Sequence, residues 1–238
     1  MSLIITTYVR EGIVLTSDSR LSLSSANQSV KNITQSDSVR KTFVTNNSVG
    51  ISTCGQADIG GVPIAGFVDS FIQEEIGSLD LNVQEISEKL LEYFKAIKPD
   101  LKTIFHIVGY DTVQKNKREI RKQRIFRCYI DTNKIQDREK ESTGPGSIFD
   151  GYNLAVAKLI NPVYIQNKEG KPGDFIPFNG IAFNFFNLQD AIDFNRFALE
   201  ATINLLRFEM IDKIVGGAVD ILVITPESHN WVQQKELK

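Results

Sequence analysis

The pattern of apolar and polar positions predicts β-hairpins in the first quarter of the chain. Residues 3–9 and 13–17 are rich in β-branched side chains and flank a glycine, which is typical of two strands joined by a turn. Residues 41–44 and 49–53 predict a second hairpin, because the asparagines between them favour a tight turn. The polar segment 22–38 has no helical periodicity, and we interpret it as a long loop.

Helical periodicity follows, interrupted by short strands. Apolar residues in the segment 82–98 recur every three or four positions as far as Pro99, which predicts an amphipathic helix. The same approach predicts helices at 59–76, 148–160 and 188–211, and strands at 103–109, 125–130 and 218–225. Strands and helices come in blocks without strict alternation, so we expect an α+β fold. No linker divides the sequence, and residues 1–238 are expected to form one domain.

Composition and charge exclude several classes of function. The chain has 238 residues, 42% of them apolar, and a formal net charge of −2, a balance that predicts neither nucleic-acid nor membrane binding. No apolar run reaches the ~18 residues of a transmembrane helix, and the first residues do not resemble a signal peptide. Two cysteines and two histidines without close spacing predict no disulfide framework and no metal site, and a reducing cytoplasm is the expected location.

One segment, 115–124, is strongly basic. It is interpreted as a solvated, protruding hairpin, and the alternative is a contact with an acidic partner or with a neighbouring subunit. The run contains no interleaved aromatic residues, which argues against nucleic-acid binding.

Four segments carry a resemblance to a known family. They are 12–20 (GIVLTSDSR), 52–58 (STCGQAD), 107–111 (IVGYD) and 214–221 (IVGGAVDI). In this order and at this spacing they resemble the proteasome β-subunit family, including its bacterial two-component relative. The resemblance spans almost the whole chain and implies the four-layer αββα sandwich of the N-terminal nucleophile (Ntn) hydrolases. It also implies a cofactor-independent hydrolase of peptides or unfolded proteins, assembled from identical subunits into a ring or spiral, with room for an ATPase partner.

The family's chemistry places the nucleophile at the first residue of the mature chain. Its hydroxyl attacks a carbonyl and its own α-amine, which titrates at about 7.7–8.0, acts as the base. Counting back from Gly12, the resemblance assigns this position to Ser2, which removal of Met1 would expose. The alternative is that Ser2 is an ordinary second residue or part of an appended leader. Thr6 and Thr7 also carry hydroxyls, but they lie too close to Gly12 for the family spacing and are expected to be strand residues.

The resemblance assigns four further residues to the site. Asp18 and Asp212 are the supporting carboxylates, Lys41 is the lysine that tunes the nucleophile, and the backbone N–H of Gly55 stabilises the oxyanion. Three of them have a simpler interpretation: Asp18 as a turn residue, Lys41 as a solvated strand end, and Gly55 as a helix-start glycine. Arg40 is an alternative to Lys41, because an ambiguity of one residue remains.

Two departures from the family pattern favour a different function. Val215 stands where the family has a serine before its Gly-Gly pair, and Gly144-Pro145-Gly146 is matched to the family's Gly-Ser-Gly turn, with Thr143 and Ser147 as substitute hydroxyls. Both family serines bond the terminal amine. The alternative function is therefore a catalytically silent, proteasome-like assembly protein.

Three other residues with reactive side chains are interpreted as structural. His106, inside an apolar strand, is expected to be a hydrogen-bonded core histidine, and His229 is expected to be solvated in the C-terminal tail. Cys54 is interpreted as a small buried side chain beside the specificity pocket.

Overall fold

The computed structural model describes residues 2–23, 33–115, 117–141, 144–175 and 179–235. The fold is mixed α and β, and its strands pair antiparallel. Two five-stranded sheets dominate, and we call them the first and the second sheet.

The first sheet has the strand order β12-β1-β2-β15-β16. Its strands are β1 (Leu3–Tyr8), β2 (Ile13–Ser17), β12 (Gly146–Gly151), β15 (Asp220–Ile224) and β16 (His229–Gln233). The second sheet has the order β11-β10-β9-β6-β5. Its strands are β5 (Thr42–Val44), β6 (Gly50–Gly55), β9 (Thr103–Lys115), β10 (Arg118–Tyr129) and β11 (Lys134–Asp137).

Helices and small hairpins complete the described part of the chain. The helices are α1 (Ile64–Ser70), α2 (Val83–Ile97), α3 (Arg138–Glu141), α4 (Leu154–Ile160) and α5 (Leu188–Leu206), with a π-helical turn at Phe71–Ile76 and a 3-10 turn at Phe183–Phe185. The small hairpins are β3 (Leu21–Leu23) with β4 (Ile33–Ser36), β7 (Asp58–Ile59) with β8 (Val62–Pro63), and β13 (Tyr164–Gln166) with β14 (Pro172–Phe175). No helix in the described ranges combines the length and the apolar character needed to cross a membrane.

Alternation along the strands divides the apolar core into three clusters. Leu3 and Ile5 of β1 face α5, where they pack with Leu199. On the second sheet, the side chains of β6 and β9 that point away from the first sheet pack with α1 and α2. They form a second cluster, which includes Phe94 and Phe105. A third cluster joins strands of both sheets, with Tyr8, Ile13, Leu15, Ile148, Leu222 and Ile224 from the first sheet and Val108 and Ile125 from the second.

The structure confirms the strands predicted at the start of the chain. It corrects the predictions for the segments 148–160 and 22–38. The predicted helix 148–160 is wrong in its first part: β12 pairs with β1 along the whole of that strand, and only Leu154–Ile160 is helical. Tertiary pairing outweighs the local periodicity of a short apolar run. The segment 22–38 contains strand β4, although residues 24–32 lie outside the described part of the chain.

The remaining corrections concern helix ends and the C-terminal segment. The predicted helix 59–76 begins only at Ile64, because Gly60 and Gly61 adopt positive φ in the turn between β7 and β8. The helix predicted at 188–211 ends at Leu206. His229, predicted to be solvated, begins β16 and is half-buried with its Nδ1 2.8 Å from Ser48 Oγ.

The close approach of the two sheets at Gly50 is open to test. A Cβ added at Gly50 would lie 2.7 Å from Ile224 Cδ1 and 3.1 Å from Leu15 Cδ1, both on the first sheet. We therefore expect Gly50→Val to lower the free energy of unfolding by about 1–3 kcal/mol through overpacking. Gly66→Val is the control, since nothing lies within 4 Å of its added Cβ, and it should change stability by less than about 0.5 kcal/mol. Equal effects of the two variants in urea unfolding would contradict the described contact between the sheets.

Candidate functional site

The start of the described chain is held at one end of the first sheet. Ser2 has only 5% of its surface exposed, and its carbonyl oxygen accepts a hydrogen bond of 2.8 Å from the Tyr152 N–H. Leu3 lies opposite Gly151, the last residue of β12. A Cβ at Gly151 would lie 1.8 Å from the Ser2 carbonyl oxygen, and its φ is +95°, so only glycine fits this close approach. Ser2 is therefore positioned by β12 as well as by β1.

Beside Ser2 lies a buried ion pair, Lys41 with Asp18. The Lys41 Nζ is 2.8 Å from Asp18 Oδ1 and donates a second bond of 2.7 Å to the Arg20 carbonyl oxygen. The side chains of Lys41 and Asp18 are 5% and 0% exposed. Lys41 and Asp18, which are 23 residues apart in the sequence, thus form the buried ion pair that was predicted.

Backbone donors complete the environment of Asp18. Its Oδ1 also accepts the Leu3 N–H at 3.1 Å, and its Oδ2 accepts the N–H groups of Arg20 at 3.2 Å and Gly216 at 3.0 Å. Both oxygens of this side chain, which has no contact with solvent, therefore have hydrogen-bond donors. These buried contacts argue against the interpretation of Asp18 as a simple turn residue.

Lys41, and not Arg40, is the basic residue that pairs with Asp18. Arg40 is exposed and pairs with Asp69 on α1, whereas Lys41 points into the interior. Burial lowers the pKa of the Lys41 ammonium below its ordinary value, and the neighbouring Asp18 opposes that shift.

A narrow cleft joins this ion pair to Ser2 and Gly55. It is lined by Ser2, Lys41, Thr53, Cys54 and Gly55, and also by apolar or partly apolar residues that include Leu21, Val39, Ile64 and Ala65. Its volume of about 20 Å³ accommodates roughly one water molecule. The structure therefore brings Ser2, Asp18, Lys41 and Gly55 to one place.

Gly55 ends β6 with a φ of +113°, and a Cβ there would lie 2.3 Å from the Lys102 carbonyl oxygen. The sequence folds this way locally because only glycine permits such an approach. Cys54, next to it, is buried, and burial raises the pKa of its thiol, so it is not a thiolate nucleophile at neutral pH.

Asp212, the remaining predicted carboxylate, is exposed, and it is not among the residues of the described ranges that line the cleft. Its neighbour Val215 is buried in the cluster against α5. The segment after α5 contributes to the site through the backbone of Gly216, since the Gly216 N–H binds Asp18.

The turn that faces the chain start is Asp150-Gly151, and the match made at residues 144–146 is wrong. Gly146 lies opposite Tyr8, at the far end of β1 from Ser2. Ser147, considered as a substitute hydroxyl, bonds Thr7 at that distant end, and Thr143 lies outside the described residues. Asp150 was missed because the segment was assigned to a helix. The signal was available in the Asp-Gly pair that follows two apolar residues, because Asp-Gly is typical of a turn after a strand.

Asp150 belongs to a polar chain between the two sheets. Thr6 Oγ1 is 2.9 Å from His106 Nδ1, and His106 Nε2 is 2.7 Å from Asp150 Oδ2. Arg127 Nε lies 2.9 Å from the same carboxylate oxygen without the alignment of a hydrogen bond. Thr6 and His106 are fully buried, which agrees with the interpretation of His106 as a hydrogen-bonded core residue and of Thr6 as a strand residue.

His106 should make stability depend on pH. Burial, the main cause, lowers the pKa of His106 below its ordinary 6.5, although Asp150 raises it. The unfolded chain therefore binds the proton more readily than the folded chain, so stability is full above about pH 6.5 and falls as pH drops toward the lower folded-state value. We expect a loss of up to about 1 kcal/mol between pH 7 and pH 5.5 in urea unfolding.

Replacing each of the two histidines separates this effect from other titrations. His106→Gln should flatten the pH dependence in that window, whereas His229→Gln, on a half-buried residue, should leave it. A slope that survives in His106→Gln would show that other groups cause it.

Comparison of the chain with protein-family models and with curated proteins gives no match.

Proposed function

We propose that this protein is a proteasome-like peptidase or amide hydrolase of the Ntn type, with Ser2 as nucleophile after removal of Met1. The observation that carries the proposal is the buried Lys41–Asp18 pair, which opens onto the same cleft as Ser2 and Gly55. A buried ion pair of this kind contributes little net stability compared with apolar packing, so a role in chemistry explains its presence better than a role in folding.

The arrangement of the core supports the αββα form of the fold. One apolar cluster lies between the first sheet and α5, another lies between the second sheet and α1 and α2, and a third joins the two sheets. Three successive apolar interfaces are what four stacked layers require. This is the architecture that the resemblance to proteasome β-subunits implies.

In the proposed reaction, the Ser2 hydroxyl attacks the carbonyl carbon of an amide while its proton passes to the Ser2 α-amine. The Gly55 N–H stabilises the oxyanion, as an N–H aimed at developing negative charge does. Breakdown of this intermediate cleaves the C–N bond, and the leaving amine takes the proton from the Ser2 ammonium. Water then attacks the ester, passing a proton to the α-amine, and the amine returns it to the serine oxygen as the acid departs.

Lys41 acts on this reaction through its charge. An ammonium close to Ser2 favours the neutral form of the α-amine and the ionised form of the hydroxyl. Asp18 holds Lys41 in place, and the Leu3 N–H fixes the same carboxylate relative to the chain start. A shift of the strand carrying Ser2 relative to Lys41 would therefore break a hydrogen bond.

A catalytically silent assembly protein is the alternative, and Val215 favours it. Its side chain packs against α5 and supplies no hydroxyl to the site. Pro145 no longer supports this alternative, because the segment that contains it lies at the opposite end of β1.

Self-assembly is supported by the surface of α5. Ala191 and Ala198 are buried against the first sheet, but Phe197 and Leu205 are 57% and 40% exposed, and Phe208, just beyond the helix, is 82% exposed. Phe197 and Leu205 are about two helical turns apart, which places them on the same side of α5. A second copy of the chain would cover them, as the resemblance to a ring or spiral of identical subunits implies.

The catalytic proposal is tested by peptide turnover of a chain that begins at Ser2, with the terminus checked by mass. Ser2→Ala should abolish turnover and leave the free energy of unfolding within about 1 kcal/mol, since it removes one small hydroxyl. Lys41→Met should also abolish turnover, and should cost about 3–5 kcal/mol because it leaves the Asp18 carboxylate unpaired.

Arg124→Met is the control for Lys41→Met. Arg124 is 14% exposed and pairs with Asp111 and Asp137. Its loss therefore breaks a group of ion pairs whose members do not line the cleft. It should lower stability and leave turnover unchanged. An inert starting chain that neither Ser2→Ala nor Lys41→Met alters would support the silent assembly protein.

Assembly is tested separately, by light scattering coupled to size-exclusion chromatography at micromolar concentration. We expect a homo-oligomer, and we expect the double variant Phe197→Asp, Phe208→Asp to shift it toward the monomer, because desolvating two carboxylates in an apolar contact is unfavourable. A monomeric wild-type chain would remove this part of the proposal.

A further inference from the structure

The polar chain Thr6–His106–Asp150–Arg127 is buried beside Ser2 and has no role in the reaction described above. The space between the two sheets also contains apolar side chains, such as Ile148 and Val108, and a small cluster of hydroxyls in which Thr42 bonds Ser17. Buried polar groups lower the stability of the fold unless every one of them has a hydrogen-bond partner. Apolar packing in the same space would be at least as stable. The chain of polar groups therefore needs a further explanation.

Strand register places Asp150 next to Ser2. Asp150 lies opposite Ile4, and Tyr152 binds the Ser2 carbonyl oxygen, so Ser2 and Asp150 are diagonal neighbours across β1 and β12. Side chains at positions 2, 4 and 6 share a face, and directly opposed residues share a face as well. Diagonal neighbours on one face are about 7–8 Å apart, within reach of charge effects and of an ordered water.

Contacts from the second sheet fix the Asp150 carboxylate on this face. His106 Nε2, at 2.7 Å, and Arg127 Nε, at 2.9 Å, both reach Oδ2. The Asp150 side chain is 14% exposed, whereas His106 is fully buried, so the carboxylate lies nearer to solvent than the imidazole does. Cys54, which lines the cleft beside Ser2, is within electrostatic range of both Asp150 and Lys41. The carboxylate and the lysine thus act on the same small volume.

We propose that Asp150, held by His106 and Arg127, is a positioning residue that raises the proton affinity of the Ser2 α-amine and so opposes Lys41. This inference rests on the proposed function, because it requires Ser2 to be the first residue. A carboxylate stabilises an ammonium, whereas Lys41 destabilises it, and the opposed effects keep the amine titrating near neutral pH.

Other charged or titratable groups face this region from the surrounding elements. They are Asp18 after β2, Arg40 and Lys41 before β5, Cys54 on β6, His106 on β9, Arg127 on β10, Asp220 on β15 and Lys235 after β16. Arg40 is paired with Asp69 on α1. His106 is neutral at pH 7, since burial lowers its pKa, and Lys235 is paired with Asp220. Asp150 is therefore the carboxylate that approaches Ser2 from β12, on the side away from Asp18.

The test measures the pKa of the Ser2 α-amine directly. A chain that begins at Ser2 is acetylated over a range of pH, and the labelled terminal peptide is quantified by mass spectrometry. Asp150→Asn should lower the amine pKa by about 1 unit, because it removes a nearby negative charge and leaves Arg127 unbalanced. Asp150→Glu should restore most of the wild-type value, which loss of packing alone would not explain.

Asp111→Asn is the matched control. Asp111 is also a buried carboxylate paired with an arginine, Arg124, but it accepts a hydrogen bond from the N-terminus of α2 instead of facing Ser2. It should lower stability without changing the amine pKa. If Asp150→Asn does not fold, Arg127→Gln supplies a test of opposite sign, because removing a cation beside Asp150 should raise the amine pKa. An unchanged amine pKa in the variants at positions 150 and 127 would overturn the proposal.

Failure of this inference is distinguishable from failure of the proposed function. Labelling of the amine does not require turnover, so a shifted amine pKa in a chain without peptidase activity would support the role of Asp150 and refute the peptidase. Conversely, an active enzyme whose acidic pH–rate limb is the same in wild type and Asp150→Asn would keep the peptidase and overturn the role of Asp150.

Discussion

The buried carboxylate of Asp18 is the constraint on which the arrangement of the site depends. An ionised carboxylate without solvent is stable only when donors surround it, and Asp18 obtains them from the N–H groups of Leu3, Arg20 and Gly216 and from Lys41. These donors belong to the chain start, the end of β2, the segment after α5 and the residue before β5. Four distant parts of the sequence are therefore fixed relative to one another by a single side chain.

Close backbone approaches follow from that constraint. A Cβ at Gly216 would lie 2.6 Å from the Arg20 guanidinium carbon, and one at Gly151 would meet the Ser2 carbonyl oxygen. Arg20 in turn forms a bidentate pair with Asp37, at 2.6 and 2.7 Å, and binds the Lys213 carbonyl oxygen. Gly151 thus lets β12 approach Ser2, Gly216 leaves room for the Arg20 side chain, and Arg20 connects the end of β2 with the segment after α5.

Sequence patterns predicted the elements whose local preference agrees with their environment. Strand β2 and helix α2 are examples: β2 is an uninterrupted buried run, and α2 begins with an Asn82–Glu85 capping box and ends before a proline. Strand β12 was missed because its apolar residues suit a helix as well as a strand, and only pairing with β1 decides between them. The buried Lys41–Asp18 pair was predicted through a spacing shared with a family. The pairing of His106 with Asp150 was not, because it joins residues 44 positions apart on different sheets.

The distribution of polar groups between the sheets bears on the choice between an enzyme and a silent assembly protein. Toward the Tyr8 end of β1, Ile13, Ile148 and other apolar side chains pack together, and the uncharged Gln123 amide bonds the carbonyl oxygens of Val9 and Gly12. Toward Ser2, the same space holds the Lys41–Asp18 ion pair on one side and, on the other, the Asp150 carboxylate hydrogen-bonded to His106. A protein that only assembles needs stability and a surface, and apolar side chains supply stability more effectively than buried charges. Buried charged groups at the Ser2 end of this interface, around a serine and a glycine that line a narrow cleft, therefore favour chemistry at that end.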